Sequence, residues 1–91
     1  MEIELRFFAN FRTAVGQKAV HREFHDDATV GGVLRTMRED HPDLDPFDED
    51  GSFKGFVTVM KNGRNVTYLE DVDTELEDGD TISVFPPVAG G

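Results

Sequence analysis

The stretch Leu76-Glu77-Asp78-Gly79-Asp80-Thr81-Ile82-Ser83-Val84-Phe85 decides the fold. Residues 76–80 read as a turn, because Asp-Gly supplies the residues that tolerate a positive φ. Residues 81–85 then alternate. Ile82 and Val84 face a core, Ser83 and Phe85 face out, and period two marks a half-buried strand. Near the other end of the chain, residues 2–9 (EIELRFFA) alternate in the same way. Ile3, Leu5 and Phe7 point to one side; Glu2, Glu4, Arg6 and Phe8 point to the other. Residues 17–24 form another alternating run with Val20 and Phe24 on one face. Residues 10–16 are too short for a stable helix and close on Gly16, so they read as a helical turn or loop joining an antiparallel pair.

Between these runs lies one good helix. Thr29 is its N-cap, and Val30, Val33, Leu34 and Met37 follow at i, i+3, i+4 and i+7. Gly31 and Gly32 weaken its first turn, and Pro42 stops it. Residues 42–52 read as a polar, acidic loop of open role. Residues 56–60 read as a third strand with Val57 and Val59 inward. Asn62-Gly63 predicts a type I′ hairpin, and residues 64–68 a short returning strand. Residues 70–74 read as polar connection. The order is then β-β-α-β-β-β, with the first and last strands parallel at the centre of a mixed sheet. That is an α+β, β-grasp (ubiquitin-like) arrangement. It divides the chain into a domain at residues 1–85 and a flexible C-terminal tail at residues 86–91.

Composition narrows the function. The chain has 91 residues and no cysteine, so disulfides, thiolate nucleophiles and Cys-ligated metals are excluded. Nineteen acids face nine bases, a net charge of −10. Such a field repels nucleic acid and anionic lipid, and neither is expected as a partner. No apolar run approaches the ~20 residues of a membrane span, and the chain reads as cytoplasmic. The acid excess fits a salty cytoplasm, where the Debye length falls to about 3 Å at molar salt.

No enzyme constellation emerges. His21, His25 and His41 have no metal-ligand spacing, and no phosphate-cradling Gly motif occurs. Asp48-Glu49-Asp50-Gly51 fails the calcium-loop pattern, with Pro46 and Val57 at the first and last ligand positions. What remains is the tail Pro86-Pro87-Val88-Ala89-Gly90-Gly91. Pro86 and Pro87 stiffen its base, and six extended residues reach roughly 20 Å. Gly90 and Gly91 lack a Cβ and can thread a narrow channel. The reactive group at the tip is the α-carboxylate of Gly91. A carboxylate must be activated before it acylates anything, usually as an acyl-adenylate. This chain has no nucleotide site, so a separate ATP-using enzyme must activate it. The chain is then a carrier or substrate, not an enzyme, and binds no cofactor or metal itself.

Four stretches carry a family resemblance: LRFFANFRTAVG (5–16), DDATVGGVLRTM (26–37), VMKNGRNV (59–66) and LEDGDTISVFPPVAGG (76–91). They resemble the ubiquitin-like sulfur carriers, which include the small subunit of molybdopterin synthase and the small archaeal modifier proteins. The acidic bias resembles the haloarchaeal members. The resemblance implies a β-grasp fold and adenylation of Gly91, supported by Gly90, by an E1-like enzyme. Two fates follow from it: an isopeptide bond to a target lysine, or a thiocarboxylate that donates sulfur to molybdopterin or to tRNA thiolation. Implied partners are the E1-like enzyme, target proteins and the molybdopterin synthase large subunit. With no residue beyond Gly91, no processing protease is expected. The alternation adds a partner face of Phe8 and Phe85, joined by Met60 and Phe56, on a protein expected to be a monomer when free. The alternative is that the chain's own tail covers Phe8 and Phe85. The alternative function is a non-covalent β-grasp binding module with an incidental diglycine.

Overall fold

The computed structural model describes residues 1–87. Strand β1 (Glu2–Phe7) buries Ile3, Leu5 and Phe7 completely, as its alternation requires. It pairs antiparallel with β2 (Ala19–Glu23), Leu5 opposite Val20, and parallel with β5 (Thr81–Phe85), Leu5 opposite Ile82. Strand β3 (Thr58–Lys61) pairs antiparallel with β5 and with the short β4 (Arg64–Asn65). The sheet order is β2-β1-β5-β3-β4, with the expected parallel pair at its centre. This is the β-grasp fold.

Helix α2 (Val30–Asp40) lies across the inner face of the sheet. Its stripe Val30, Val33, Leu34 and Met37 is buried against the strand residues. The Thr29 hydroxyl accepts from Gly32 N at 3.1 Å and caps the helix. Gly31 has a second reason to be glycine. Any Cβ there would lie 2.8 Å from both Val72 Cβ and the Val72 carbonyl oxygen. The first turn of α2 therefore touches the backbone of the 3₁₀ turn Asp71–Asp73 directly. Asn62 and Gly63 have φ of 51° and 83°, as a type I′ turn demands.

Four local readings are corrected. Residues 10–16 were expected as a helical turn or loop; they belong to a seven-residue helix, α1 (Ala9–Val15), closed by Gly16 in the left-handed conformation. Burial of Phe11 and Val15 holds a helix too short to stand alone. The third strand begins at Thr58 rather than residue 56. The returning strand is only Arg64–Asn65, because Asn65 caps the 3₁₀ turn Val66–Tyr68 through its side chain and draws the backbone out of the ladder. The acidic loop is not simply polar. Leu44, Pro46 and Phe47 are buried within it. The Phe47 ring stacks on Phe53 at 5.2 Å, and the guanidinium groups of Arg35 and Arg38 lie over it. The loop is thus fastened to the outer side of α2, while Asp48, Glu49 and Asp50 stay exposed.

Candidate functional site

The tail leaves the sheet where β1 and β5 end together. Phe7 lies opposite Val84 across the parallel pair, and Thr58 lies opposite Phe85 across the antiparallel one. The next residue, Pro86, is buried, and Pro87 is exposed. Gly90 and Gly91, the residues expected to carry the chemistry, lie outside the described residues.

Phe8 follows β1 in an extended conformation and serves as the N-cap residue of α1. Its ring stacks on that of Phe85, with centroids 4.2 Å apart and planes 14° from parallel. The two half-buried rings form one apolar platform at the root of the tail. Ala9 then takes a φ of 52° to turn the chain from the strand into α1. A left-handed alanine is strained by about 1 kcal/mol or more, and it sits beside this platform. Met60 is half-buried on the same outer face, opposite Ser83 and so diagonal to Phe85. Phe56 lies before β3 and is 85% exposed. The structure therefore brings Phe8 and Phe85 into contact, sets Met60 beside them, and leaves Phe56 projecting into solvent.

The start of β5 is fixed by polar groups of the turn at residues 76–80 and of the hairpin tip. Asp80 is buried. Its carboxylate accepts from Glu77 N at 2.7 Å and from the Asn62 side-chain amide at 2.8 Å, with Lys61 Nζ at 3.7 Å. Asn62 Oδ1 accepts from Thr81 N at 2.8 Å. Asp78 accepts from Glu2 N at 2.6 Å, and Gly79 N donates to Glu2 O at 2.8 Å. Asp78-Gly79-Asp80 thus ties β5 to β1 on one side and to the hairpin tip on the other. The pair of aspartates flanking a turn glycine was the available signal, and its role is positional.

Elsewhere on the outer face, Glu4 accepts from Arg6 Nε at 2.7 Å, and that bond, with the Arg6 charge, holds its carboxyl below the ordinary glutamate value. His21 Nε2 lies 3.3 Å from the other Glu4 oxygen. Among the described residues no cluster of three His, Asp or Glu side chains is placed to hold a metal ion, and no helix is long and apolar enough to cross a membrane.

Comparison with known proteins agrees with this architecture. Small archaeal modifier protein 3 of Haloferax volcanii is 54% identical over 92 residues, covering all of both chains. The molybdopterin synthase sulfur carrier subunit of Chlamydomonas reinhardtii is 30% identical over 95 residues, again covering both chains completely. The chain is also similar to one chain of the crystal structure of the Amycolatopsis orientalis BexX/CysO complex, with a TM-score of 0.82, 26% identity, and coverage of 98% of this chain and 99% of that one. Members of this group thus include proteins solved in complex with a partner. The model of the ThiS family matches residues 5–91. The chain belongs to the ThiS family, whose members are small ubiquitin-like modifiers and sulfur carriers.

Proposed function

We propose that this protein is an activated acyl carrier whose chemistry is confined to the end of its tail. An E1-like enzyme supplies ATP. An oxygen of the Gly91 carboxylate attacks the α-phosphorus, pyrophosphate leaves, and an acyl-adenylate results. A lysine ε-amine of a target protein then displaces AMP to give an isopeptide bond. Alternatively hydrosulfide, delivered at the sulfide level by a sulfur donor, attacks the acyl carbon and displaces AMP, leaving a thiocarboxylate for molybdopterin synthesis or tRNA thiolation. ATP supply places the reaction in the cytoplasm.

One observation carries the reading: a diglycine tail follows directly from the central strand, at an edge marked by the stacked Phe8 and Phe85 rings. Residues 1–85 act as the handle that the enzyme grips through Phe8, Phe85, Met60 and Phe56. Residues 86–91 act as the reach, with Gly90 allowing the last residue into a narrow channel. Small residues at the tip suit passage between the walls of another protein's active site.

Deletion of Gly90 and Gly91 tests it. The shortened chain should keep its circular dichroism and melting temperature while ATP–pyrophosphate exchange by the activating enzyme disappears. Intact mass from the native host should show Gly91 as a thiocarboxylate, or tryptic peptides should show it joined to lysine. Exchange that survives the deletion refutes the carrier reading and leaves a non-covalent β-grasp binding module.

A further inference from the structure

A groove of about 420 Å³ opens on the β1–α1 side of the Phe8–Phe85 platform, lined by Arg6, Phe7, Phe8, Arg12, Lys18 and Ala19. Its lining contains three of the nine basic residues of a chain with nineteen acids, and no acid. Two of these cations are uncommitted. Arg6 is paired with Glu4. Among the described residues, neither Arg12 nor Lys18 has a carboxylate within 4.0 Å. Arg22, Arg38 and Lys61 are paired with aspartates, and of the other unpaired bases among the described residues, Arg35, Lys54 and Arg64, none lines this groove. Arg12 is also aimed: its Nε donates to the Phe7 carbonyl at 3.4 Å, which draws the guanidinium back over the end of β1. Lys18 stands across from it, its carbonyl accepting from Phe7 N at 3.0 Å.

We infer that this groove receives an acidic segment of the activating enzyme, one that carries an apolar side chain between its carboxylates. The inference rests on the carrier reading above and deepens it. Charge complementarity selects the occupant. The chain as a whole, at a net charge of −10, repels an acidic segment, and this groove, with three bases and no acid in its lining, attracts it. The half-buried Phe8 and Ala19 take the apolar side chain, while Arg12 and Lys18 take the carboxylates. Phe8 belongs both to the groove and to the stack with Phe85. A segment bound here is therefore at the root of the tail. An apolar platform alone grips without choosing a direction; a charged groove on one side of it sets the orientation in which the tail enters the partner.

The test is Arg12→Glu together with Lys18→Glu in the full chain, assayed by ATP–pyrophosphate exchange with the activating enzyme across carrier concentrations and KCl. KM should rise by roughly tenfold or more at low salt, as lost steering implies, with kcat unchanged. The rise should shrink as KCl increases, and Arg12→Lys should restore most of the loss. Circular dichroism checks the fold. If the reversed pair does not fold, Arg12→Gln with Lys18→Gln should give a smaller rise with the same salt dependence. An unchanged KM, or a fall in kcat alone, overturns the inference. A lower KM also overturns it, and shows that the chain's own tail occupies the groove. If deletion of Gly90 and Gly91 abolishes exchange while charge reversal does nothing, the carrier reading stands and the groove is removed from it. If the wild-type chain supports no exchange, both fall.

Discussion

Substituting Gly31 by alanine sets two effects of opposite sign against each other. In an exposed helix the change stabilises by about 1 kcal/mol, because alanine loses less backbone entropy. Here the new methyl would sit 2.8 Å from Val72 Cβ and 2.8 Å from the Val72 carbonyl oxygen. Both contacts fall well inside van der Waals separation, and neither belongs to the flexible end of a side chain. Trimming Val72 to alanine leaves both atoms in place, so it offers no relief. Either α2 or the Asp71–Asp73 turn must shift, and such overpacking costs roughly 1–3 kcal/mol. The overlap outweighs the gain over most of that range, and Gly31→Ala should destabilise by up to about 2 kcal/mol. Gly32 is the internal control. A Cβ there meets only the Thr29 hydroxyl, at 3.4 Å, so Gly32→Ala should be neutral or stabilising by up to about 1 kcal/mol. The propensity gain is common to both variants, so they differ by the overlap cost of roughly 1–3 kcal/mol; at about 4–8 °C per kcal/mol for a domain of this size, they should melt roughly 4–24 °C apart. Calorimetric melts in one buffer measure the gap. Equal melting temperatures, or Gly31→Ala the more stable, would refute the close approach of α2 to the turn.

Other outcomes follow from the same structure. Phe47→Ala should destabilise by about 3 kcal/mol, read by chemical denaturation, because it removes a buried ring and the surface on which Phe53, Arg35 and Arg38 rest. Asp40 accepts a hydrogen bond from Arg22, and that bond, with the Arg22 charge, holds its carboxyl below the ordinary value. A depressed folded-state value means that its stabilisation is present above the unfolded pKa of about 3.9 and is lost as pH falls through the folded one. Melts of Asp40→Asn should therefore decline less steeply than wild type below about pH 4. Phe85→Ala should weaken binding to the activating enzyme by about 2 kcal/mol or more, measured by titration calorimetry; an unchanged affinity would show that the platform is not where the enzyme holds on.

Much of this architecture was legible in the residues because it depends on periodicity. The alternation of Ile3, Leu5 and Phe7, and of Ile82 and Val84, requires an inner face, and the Thr29 cap with its apolar stripe requires a helix. What was not legible depends on distant partners. Phe11 and Val15 make a helix of α1 only because a core lies beneath them. Leu44 and Phe47 sit singly among acids, with no period to mark them, and their burial comes from α2 and Phe53. Gly31 looked like a weak point in a helix until the turn at Val72 came into view. The root of the site was readable as outward-facing Phe8 and Phe85. Their stacking was not, because it depends on the parallel register of β1 and β5, which sets Phe7 opposite Val84 and so brings the next residues, Phe8 and Phe85, side by side. The grouping of Arg12 with Lys18 was hidden for a similar reason: Arg12 sits on α1 and Lys18 just before β2, and only the folded chain sets both along one groove.

The strand order has a consequence for the protein's birth. β5 is the last of the five strands to leave the ribosome, yet it occupies the middle of the sheet between β1 and β3. Until it arrives, β1 and β2 can pair with each other, but β1 has nothing on its other side and the β3–β4 hairpin has nothing to join. Contacts this distant in sequence form late and slowly. A nascent chain stopped anywhere before β5 therefore leaves Ile3, Leu5 and Phe7 without the strand that seals them, and is exposed to chaperones and proteases rather than released as a folded domain. Completion of the fold therefore waits for translation through β5. A chain lacking β5, the strand from which the tail departs, cannot complete this sheet.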